Sequence, residues 1–452
     1  MQKFTCDNRG NLKTLNYGYG FVINNYDAWN RLISTVYPSI TSGGVTIPEK
    51  HIQPEYTHFI EGLLKGKRTT TRELVSGIEV GKVVVETDPL GRKVKETWSI
   101  PNENNVLETY SLAFSNNALG SITSMLYPGD NAYDAVNYVY SNGNNDARLH
   151  SISGFVTSIQ YSKNGFLKQI EYGNQATTTI TPDIRFRPQE INTTHNNTEI
   201  FRATQQTFEY DDIDRLTKAH HSNVYHYNDK YDGSGNRKEF EDETNSVIKN
   251  YQYTGHRLMN ISGGDPETFT YNAIGGIETR LKDGIFQTYV YDSVGKLLEV
   301  RQGSTVIAQY VYDPYGRLVR TKEGNTYTYR LPIGNETAYE KIVEGLQTTE
   351  RRYILGLGRH IARQERVSGV WQNTTYYHGD HLGSTRALSG AEAGTFTYDP
   401  FGVVVGETGT TATTTIAFLE NPWMAQACIT MAPDSMTLSL VGLLVWIRLG
   451  MG

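Results

Sequence analysis

This sequence has little that could staple it together. Its two cysteines, Cys6 and Cys428, lie near opposite ends of 452 residues. They form no CxxC pair and no disulfide framework, so a cysteine-knotted or zinc-ribbon domain is excluded. Long apolar runs are also missing. The strongest, Leu438 to Trp446, is too short to span a bilayer, so no membrane span is expected. The stretch from Met1 to Lys13 is polar and lacks the apolar centre of a signal peptide. Basic blocks are absent as well: the net charge is -6, with both signs mixed along the chain, which argues against a nucleic-acid partner. Sustained helical periodicity is lacking, and only Ile60 to Lys67 and Glu340 to Leu346 suggest short helices. No GxSxG, HExxH or P-loop pattern occurs, which removes the commonest hydrolase, metalloprotease and nucleotide-binding readings.

What the chain has in excess is tyrosine: 31 Tyr against 15 Phe and 5 Trp. Tyrosine suits a half-buried pleated surface, where the ring packs and the hydroxyl finds a partner. Glycine is plentiful at 43, as a chain that turns often requires. With 20% charged residues and a mean hydropathy of -0.48, the composition is that of a polar protein.

One pattern recurs: aromatic, any residue, Tyr-Asp, about two residues, Gly or a polar residue, Arg or Lys, Leu. The clearest copies are Tyr289-Val290-Tyr291-Asp292-Ser293-Val294-Gly295-Lys296-Leu297 and Tyr310-Val311-Tyr312-Asp313-Pro314-Tyr315-Gly316-Arg317-Leu318. Further copies start at Phe208 (Tyr210-Asp211, Arg215-Leu216) and Phe269 (Tyr271-Asn272, Gly275). Looser ones involve Tyr26-Asp27, Cys6-Asp7, Tyr161 with Gly165, and Tyr251 with Tyr253. A spacing of about 20 residues is the mark of a repeat architecture. Tyr-Val-Tyr puts both rings on one face of a strand. The Asp, Asn, Pro and Gly that follow make a turn, and Arg-Leu-Val opens a second strand. Each unit therefore reads as a β-hairpin. One hairpin alone is barely stable in water, whereas stacked hairpins bury their faces and pair their edges. Residues 40–125, around the turn Asp88-Pro89-Leu90-Gly91-Arg92, and the Thr/Asn-rich residues 175–200 read as degenerate repeats or longer loops.

These units resemble the YD repeats of bacterial Rhs proteins, of the encapsulating components of insecticidal toxin complexes, and of animal teneurins. A second stretch is more specific. Tyr376-Tyr377-His378-Gly379-Asp380-His381-Leu382-Gly383-Ser384-Thr385-Arg386 resembles the Rhs core signature, with Tyr398-Asp399-Pro400-Phe401-Gly402 after it and Tyr353 to Ala362 before it. The resemblance implies an all-β fold of repeated hairpins forming part of a spiralling YD-repeat shell. It implies degenerate repeats over 1–130, YD/RHS repeats over 131–345, a truncated Rhs core over 346–418 and an aberrant tail over 419–452. It also implies a structural role. The shell would enclose or carry a C-terminal toxin segment, absent here, in a secreted or cell-surface protein that works with secretion machinery in bacterial competition. The alternative is a cell-surface carbohydrate-binding or adhesion protein with glycans as partners.

After Phe418 the pattern stops, and no tyrosine occurs from Asp399 to the end. Met and Trp have single codons, so a reading frame starting on each third base is fixed in places. Trp423-Met424, Met436-Thr437 and Trp446-Ile447 then give Asp, while Met424-Ala425 and Met431-Ala432 give Gly. These fall where the family pattern needs Asp and Gly. The expectation is a missing base near codons 416 to 422, with residues from about Leu419 out of frame. The competing reading is a genuine divergent tail.

Three clusters invite chemistry. His378, Asp380 and His381 offer metal-ligand types, but strand neighbours alternate faces, so a capped turn with packed rings is the expectation. His220, His221 and His226 read as surface histidines in a loop entering a strand. Asp211, Asp212 and Asp214 lack the remaining acids of a calcium loop. In relatives, aspartates just after the core cut the chain, but no residue here matches them. The chain is expected to carry no catalytic, cofactor or metal residues, to need no cofactor, and not to be an enzyme.

Overall fold

The computed structural model describes residues 3–409, apart from 17–19, 62–63, 141–147, 186–187, 203–206 and 222–223. The tail from Leu419, with Cys428, lies outside the described residues. The chain is all-β, with long antiparallel sheets. The one departure among the described residues is a 3-10 turn, Ala132–Asp134, capped by Asn131.

Two compact units form. The first comprises the chain through Ala135 together with Phe269–Pro332 and Tyr339–Thr349. Its first arm is a meander of successively paired strands, interrupted once by a separate small hairpin of Ile40–Ser42 and Val45–Ile47. It begins with short strands, Lys3–Cys6, Leu12–Asn16, Phe21–Tyr26 and Leu32–Tyr37. It lengthens through Lys50–Glu61, Leu64–Val75, Ile78–Thr87, Lys93–Pro101 and Leu107–Asn116. The second arm contains Ile285–Tyr291, Leu297–Gln302, Thr305–Tyr312, Leu318–Glu323 and Thr326–Ile333. The arms pack face to face. Trp98, Ile100 and Leu112 of the first arm, and Tyr289, Val290 and Tyr329 of the second, are at most 1% exposed.

The second unit comprises Val136–Thr268, Ile333–Ala338 and the chain from Glu350 onward. It holds the meander from Leu149–Ile152 to Thr198–Arg202 and the hairpins from Thr207–Tyr210 to Arg257–Gly263. It also holds Arg359–Val367, Val370–Gly379, Thr385–Gly390, Gly394–Tyr398 and Val404–Gly409. Tyr353, Tyr377, Leu388, Phe396 and Tyr398 form a core cluster there.

Both suggested helices are strands. Ile60 and Glu61 end the strand Lys50–Glu61, and residues 64–67 begin the strand Leu64–Val75, with Ile60 opposite Lys65. Glu340 to Glu344 end the strand Glu336–Glu344. A helical period over eight residues cannot nucleate a helix against a twelve-residue ladder. The described residues of 40–125 and 175–200 are likewise mostly laddered: Ala176–Pro182 pairs with Pro188–His195, with Thr178 Oγ1 2.8 Å from Thr193 Oγ1.

Candidate functional site

The feature that repeats along both units is the Tyr-Asp turn. Numbering its Asp as i, the turn is one local hydrogen-bond pattern. The backbone N–H of i donates to the carbonyl of i+4, and the N–H of i+3 donates to the carbonyl of i, as in Asp292/Lys296 (2.9 Å) and Gly295/Asp292 (3.1 Å). The Asp Oδ1 accepts the N–H groups of i+2 and i+4, at 3.0 and 2.9 Å for Asp292. The Oδ2 accepts the basic side chain of i+4, as from Arg317 Nε to Asp313 (2.7 Å) and Arg215 Nε to Asp211 (2.6 Å). Residue i+3 is left-handed, with φ of +84° at Gly295 and +79° at Gly316, which is why glycine recurs there. Asn30, Asn105 and Asp214 hold the same position at φ of +69°, +59° and +62°, as residues with short polar side chains can. A ladder irregularity falls between the tyrosine and the residue before it, as between Val290 and Tyr291 or Val311 and Tyr312, which is the bulge such a loop carries.

The tyrosine before each turn works on the preceding hairpin. Its hydroxyl donates to the carbonyl of the residue that opens the previous copy's second strand. The pairs are Tyr26 to Leu12 (3.0 Å), Tyr231 to Leu216 (2.8 Å), Tyr312 to Leu297 (3.0 Å) and Tyr398 to Thr385 (2.7 Å). The previous copy's basic residue lies over the same ring: Arg215 over Tyr231 at 4.9 Å, Lys296 over Tyr312 at 4.8 Å and Arg386 over Tyr398 at 5.0 Å. That cation also reaches the next turn's backbone, from Arg215 to the Asp232 carbonyl (2.9 Å) and from Lys296 to Gly316 (2.5 Å). Asp shapes its own turn, and Tyr and Arg bolt successive turns together. The motif spacing is therefore set by the reach between neighbouring hairpins.

The Rhs-like signature is a variant of this turn. Asp380 Oδ1 accepts the N–H groups of Leu382 (2.9 Å) and Ser384 (3.1 Å), while Arg386 reaches back to Oδ2 (2.7 Å) from i+6 instead of i+4. Ser384 takes the i+4 place and is fully buried. The geometry separates the histidines and the carboxylate of this stretch. His378 is fully enclosed, its Nε2 2.7 Å from Ser389 Oγ and its ring edge-on to Tyr172 at 4.6 Å. Burial pushes its pKa down to about 3, so it is a neutral packed ring. His381 is exposed on the turn.

The loop expected around His220 and His226 is a hairpin of Leu216–His221 and Tyr225–Tyr231, since the two rings face each other across paired strands at 5.3 Å. His226 Nδ1 meets Glu243 at 2.8 Å. Asp211 spends its carboxylate on its own turn, while Asp212 and Asp214 are exposed. Among the described residues no cluster of His, Cys, Asp or Glu could hold a metal ion.

Within the first unit the turns also face inward. Asp313, 2% exposed at its side chain, accepts the indole N–H of Trp98 (3.3 Å), and Arg317 bridges it to Glu96 (2.7 Å). Lys50 meets Asp292 at 3.2 Å and Glu73 at 3.7 Å. Burial opposes the charge on Lys50, but Glu73 and Asp292 outweigh it and hold its pKa up. Burial also holds Glu73 above the usual carboxylate range. Further along, Arg320 donates to the Pro101 and Asn102 carbonyls (2.6 and 2.8 Å), and Lys341 meets Glu108 (2.9 Å). The Tyr110 hydroxyl, then Lys341, hold the Glu108 carboxyl at about 2. The two arms are thus joined by a row of charge pairs, Arg317 with Glu96, Lys50 with Asp292 and Lys341 with Glu108, whose partners lie 221 to 242 residues apart.

Three turns escaped the copies counted from sequence: Tyr231-Asp232-Gly233-Ser234-Gly235, and those begun by Asn102 and Asn117. The first carries the full Tyr-Asp pair. The other two use Asn with no tyrosine before it, and only an Asx followed by a left-handed residue three places on could have marked them.

No protein-family model and no curated protein matches the sequence. Several solved structures match the fold. A crystal structure of TcdB2-TccC3-Cdc42 is 14% identical, with a TM-score of 0.58 over 93% of this chain and 26% of that one. The Photorhabdus luminescens Tc holotoxin pore with a substituted TccC3 is 15% identical, with a TM-score of 0.58 over 91% and 25%. TcdB2-TccC3 itself is 13% identical, with a TM-score of 0.54 over 93% and 26%. The chain therefore spans about a quarter of the length of these toxin-complex chains and shares their fold.

Proposed function

We propose that this chain is a stretch of wall from a toxin-complex or Rhs-type β-shell, which encloses or carries a polypeptide toxin outside the producing cell. The observation that carries the reading is the use to which the polar side chains are put. The aspartates of the repeats cap turns, the tyrosines and basic residues tie each hairpin to the one before, and other buried charges pair either between the arms of the first unit, as Arg317 with Glu96, or within one sheet, as Arg237 with Asp229. Such a chain spends its chemistry on holding a sheet together, and as a wall it performs no reaction of its own. The likeness to toxin-complex chains supports the same role. Its partners would be the enclosed segment and the secretion apparatus that exports the assembly. The test is protease treatment of the assembly purified from its native source. A co-purifying polypeptide should resist digestion until the wall is unfolded. A polypeptide digested equally fast before and after unfolding would count against enclosure.

A further inference from the structure

In the second unit, Arg237 occupies an unusual position. Its guanidinium lies over the ring of Phe401 at 4.2 Å, and over Phe240 at 5.4 Å and Tyr251 at 5.9 Å. It therefore pins the hairpin of Tyr225–Tyr231 and Arg237–Asp242 to the turn that follows Gly394–Tyr398. Two carboxylates share this one cation. Asp229, with a side chain 1% exposed, has Oδ1 2.7 Å from Arg237 Nε, yet neither oxygen accepts a well-aligned hydrogen bond. Asp399, half-buried, also feels Arg237. Its Oδ1 accepts the N–H groups of Phe401 and Val403, both at 2.8 Å.

The other charged and titratable neighbours are committed elsewhere. Arg386 pairs with Asp380 (2.7 Å), and Asp242 caps Asn245 (3.1 and 2.7 Å). Tyr225 and Tyr227 face Asp399, and Tyr231 and Tyr251 face Asp229. Burial raises all four phenols, so they are neutral at any physiological pH. Glu267 stands beyond Tyr251. At neutral pH the seam thus holds two carboxylates against one guanidinium, with a net charge of one minus where water is scarce.

We infer that this Asp229–Arg237–Asp399 seam is a pH-responsive latch between the Tyr225–Asp242 hairpin and the turn at Asp399, closed in mild acid and relaxed towards neutral pH. Burial raises both carboxyls to about 6. They share one cation, so they titrate as a pair. The sign follows from linkage. The folded pKa lies above the unfolded value, so the folded seam binds protons more tightly than the unfolded chain. Its contribution to stability is complete below about pH 4 and is lost as pH rises through about 6. Each carboxyl can change the closed-to-open ratio by up to about tenfold per pH unit inside that window. A wall with this latch is tight in an acidic compartment and loosens at one seam on reaching neutral surroundings.

The test is hydrogen-exchange mass spectrometry on the full chain from pH 5 to 7.5, corrected for intrinsic exchange, reading peptides that cover 225–242 and 394–403. Protection in the unaltered protein should fall as pH rises, relative to peptides from Ala176–Pro182. The double variant Asp229→Asn/Asp399→Asn removes both charges, and its new amide in the second turn still offers an oxygen to the N–H groups there. In that variant the pH dependence should vanish. Protection that does not change with pH, or the same dependence in the double variant, would overturn the latch. If the double variant does not fold, carboxyl-carbon NMR titration of the unaltered protein decides. Two aspartates titrating above about 5.5 are expected, and none above about 4.5 would overturn it.

Discussion

Replacing Asp313 by alanine strikes a turn and an interior joint in one step. In the folded chain this carboxylate accepts the N–H groups of Tyr315 and Arg317, both at 2.9 Å. It also takes the Arg317 guanidinium at 2.7 Å and the Trp98 indole at 3.3 Å. Hydrogen bonds to a charged group contribute about 1.5–3 kcal/mol each, but four on one side chain do not add. The better guide is loss of one member of a buried ion pair, about 3–5 kcal/mol. Glu96, 2.7 Å from Arg317, keeps the guanidinium partly compensated, so the lower half of that range, about 3–4 kcal/mol, is expected. Asp313→Asn keeps an oxygen for the turn and loses only the charge, so about 1–2 kcal/mol is expected. The assay is urea unfolding followed by the emission of Trp98, which is fully buried, with Trp29, Trp371, Trp423 and Trp446 replaced in the background. Asp27→Ala is the control, because that turn lies on the surface and its carboxylate touches only its own loop. A loss below about 1 kcal/mol for Asp313→Ala, or an equal loss for Asp27→Ala, would refute the idea that inward turns join the two arms.

Other outcomes follow from the same geometry. Tyr398→Phe deletes the hydroxyl that donates to the Thr385 carbonyl at 2.7 Å and leaves that acceptor buried, so thermal or chemical unfolding should show a loss of about 1–2 kcal/mol. Gly295→Ala forces a Cβ into a left-handed backbone at φ +84° with Ile274 only 3.3 Å away, and should lose about 1–2 kcal/mol in the same assay. His378, pushed down to about 3 by burial, has the opposite sign to the Asp229–Asp399 seam: its contribution is complete above about pH 6.5 and fades as pH falls towards 3. His378→Gln should flatten the acid-side loss of melting temperature, and an unchanged slope would show that the ring is not held neutral. The frame expectation rests on the sequence alone and has its own check: reading the native DNA from codon 410 onward should reveal a missing base near codons 416 to 422 and an open, tyrosine-rich frame, and an intact frame would remove it.

The turn was legible because its determinants lie within five residues. Asp292, Gly295 and Lys296 can be read as a hairpin loop without knowing what surrounds them. The tyrosine clamp was not legible. Tyr312 and Leu297 are 15 residues apart, and their contact depends on the strand register on both sides of a bulge. The interior row was still further from view, since nothing local in Glu96 or Trp98 points to Arg317 or Asp313. The suggested helices failed for a related reason: the segments Ile60 to Lys67 and Glu340 to Leu346 carry apolar residues at helical spacing, but most of their described residues belong to longer strands paired with neighbours. The metal-like stretch at His378, Asp380 and His381 mixes three environments in four residues: an enclosed ring, a turn cap and a solvent-facing ring.

Enclosure is the central claim, and protease protection reports on it most directly. The natively assembled protein would be held with protease across a temperature series, with its wall and any companion polypeptide followed by mass spectrometry. The account predicts that companion fragments appear only at the temperature where wall strands such as Thr305–Tyr312 lose protection. Companion fragments released well below that temperature, with the wall intact, would contradict it.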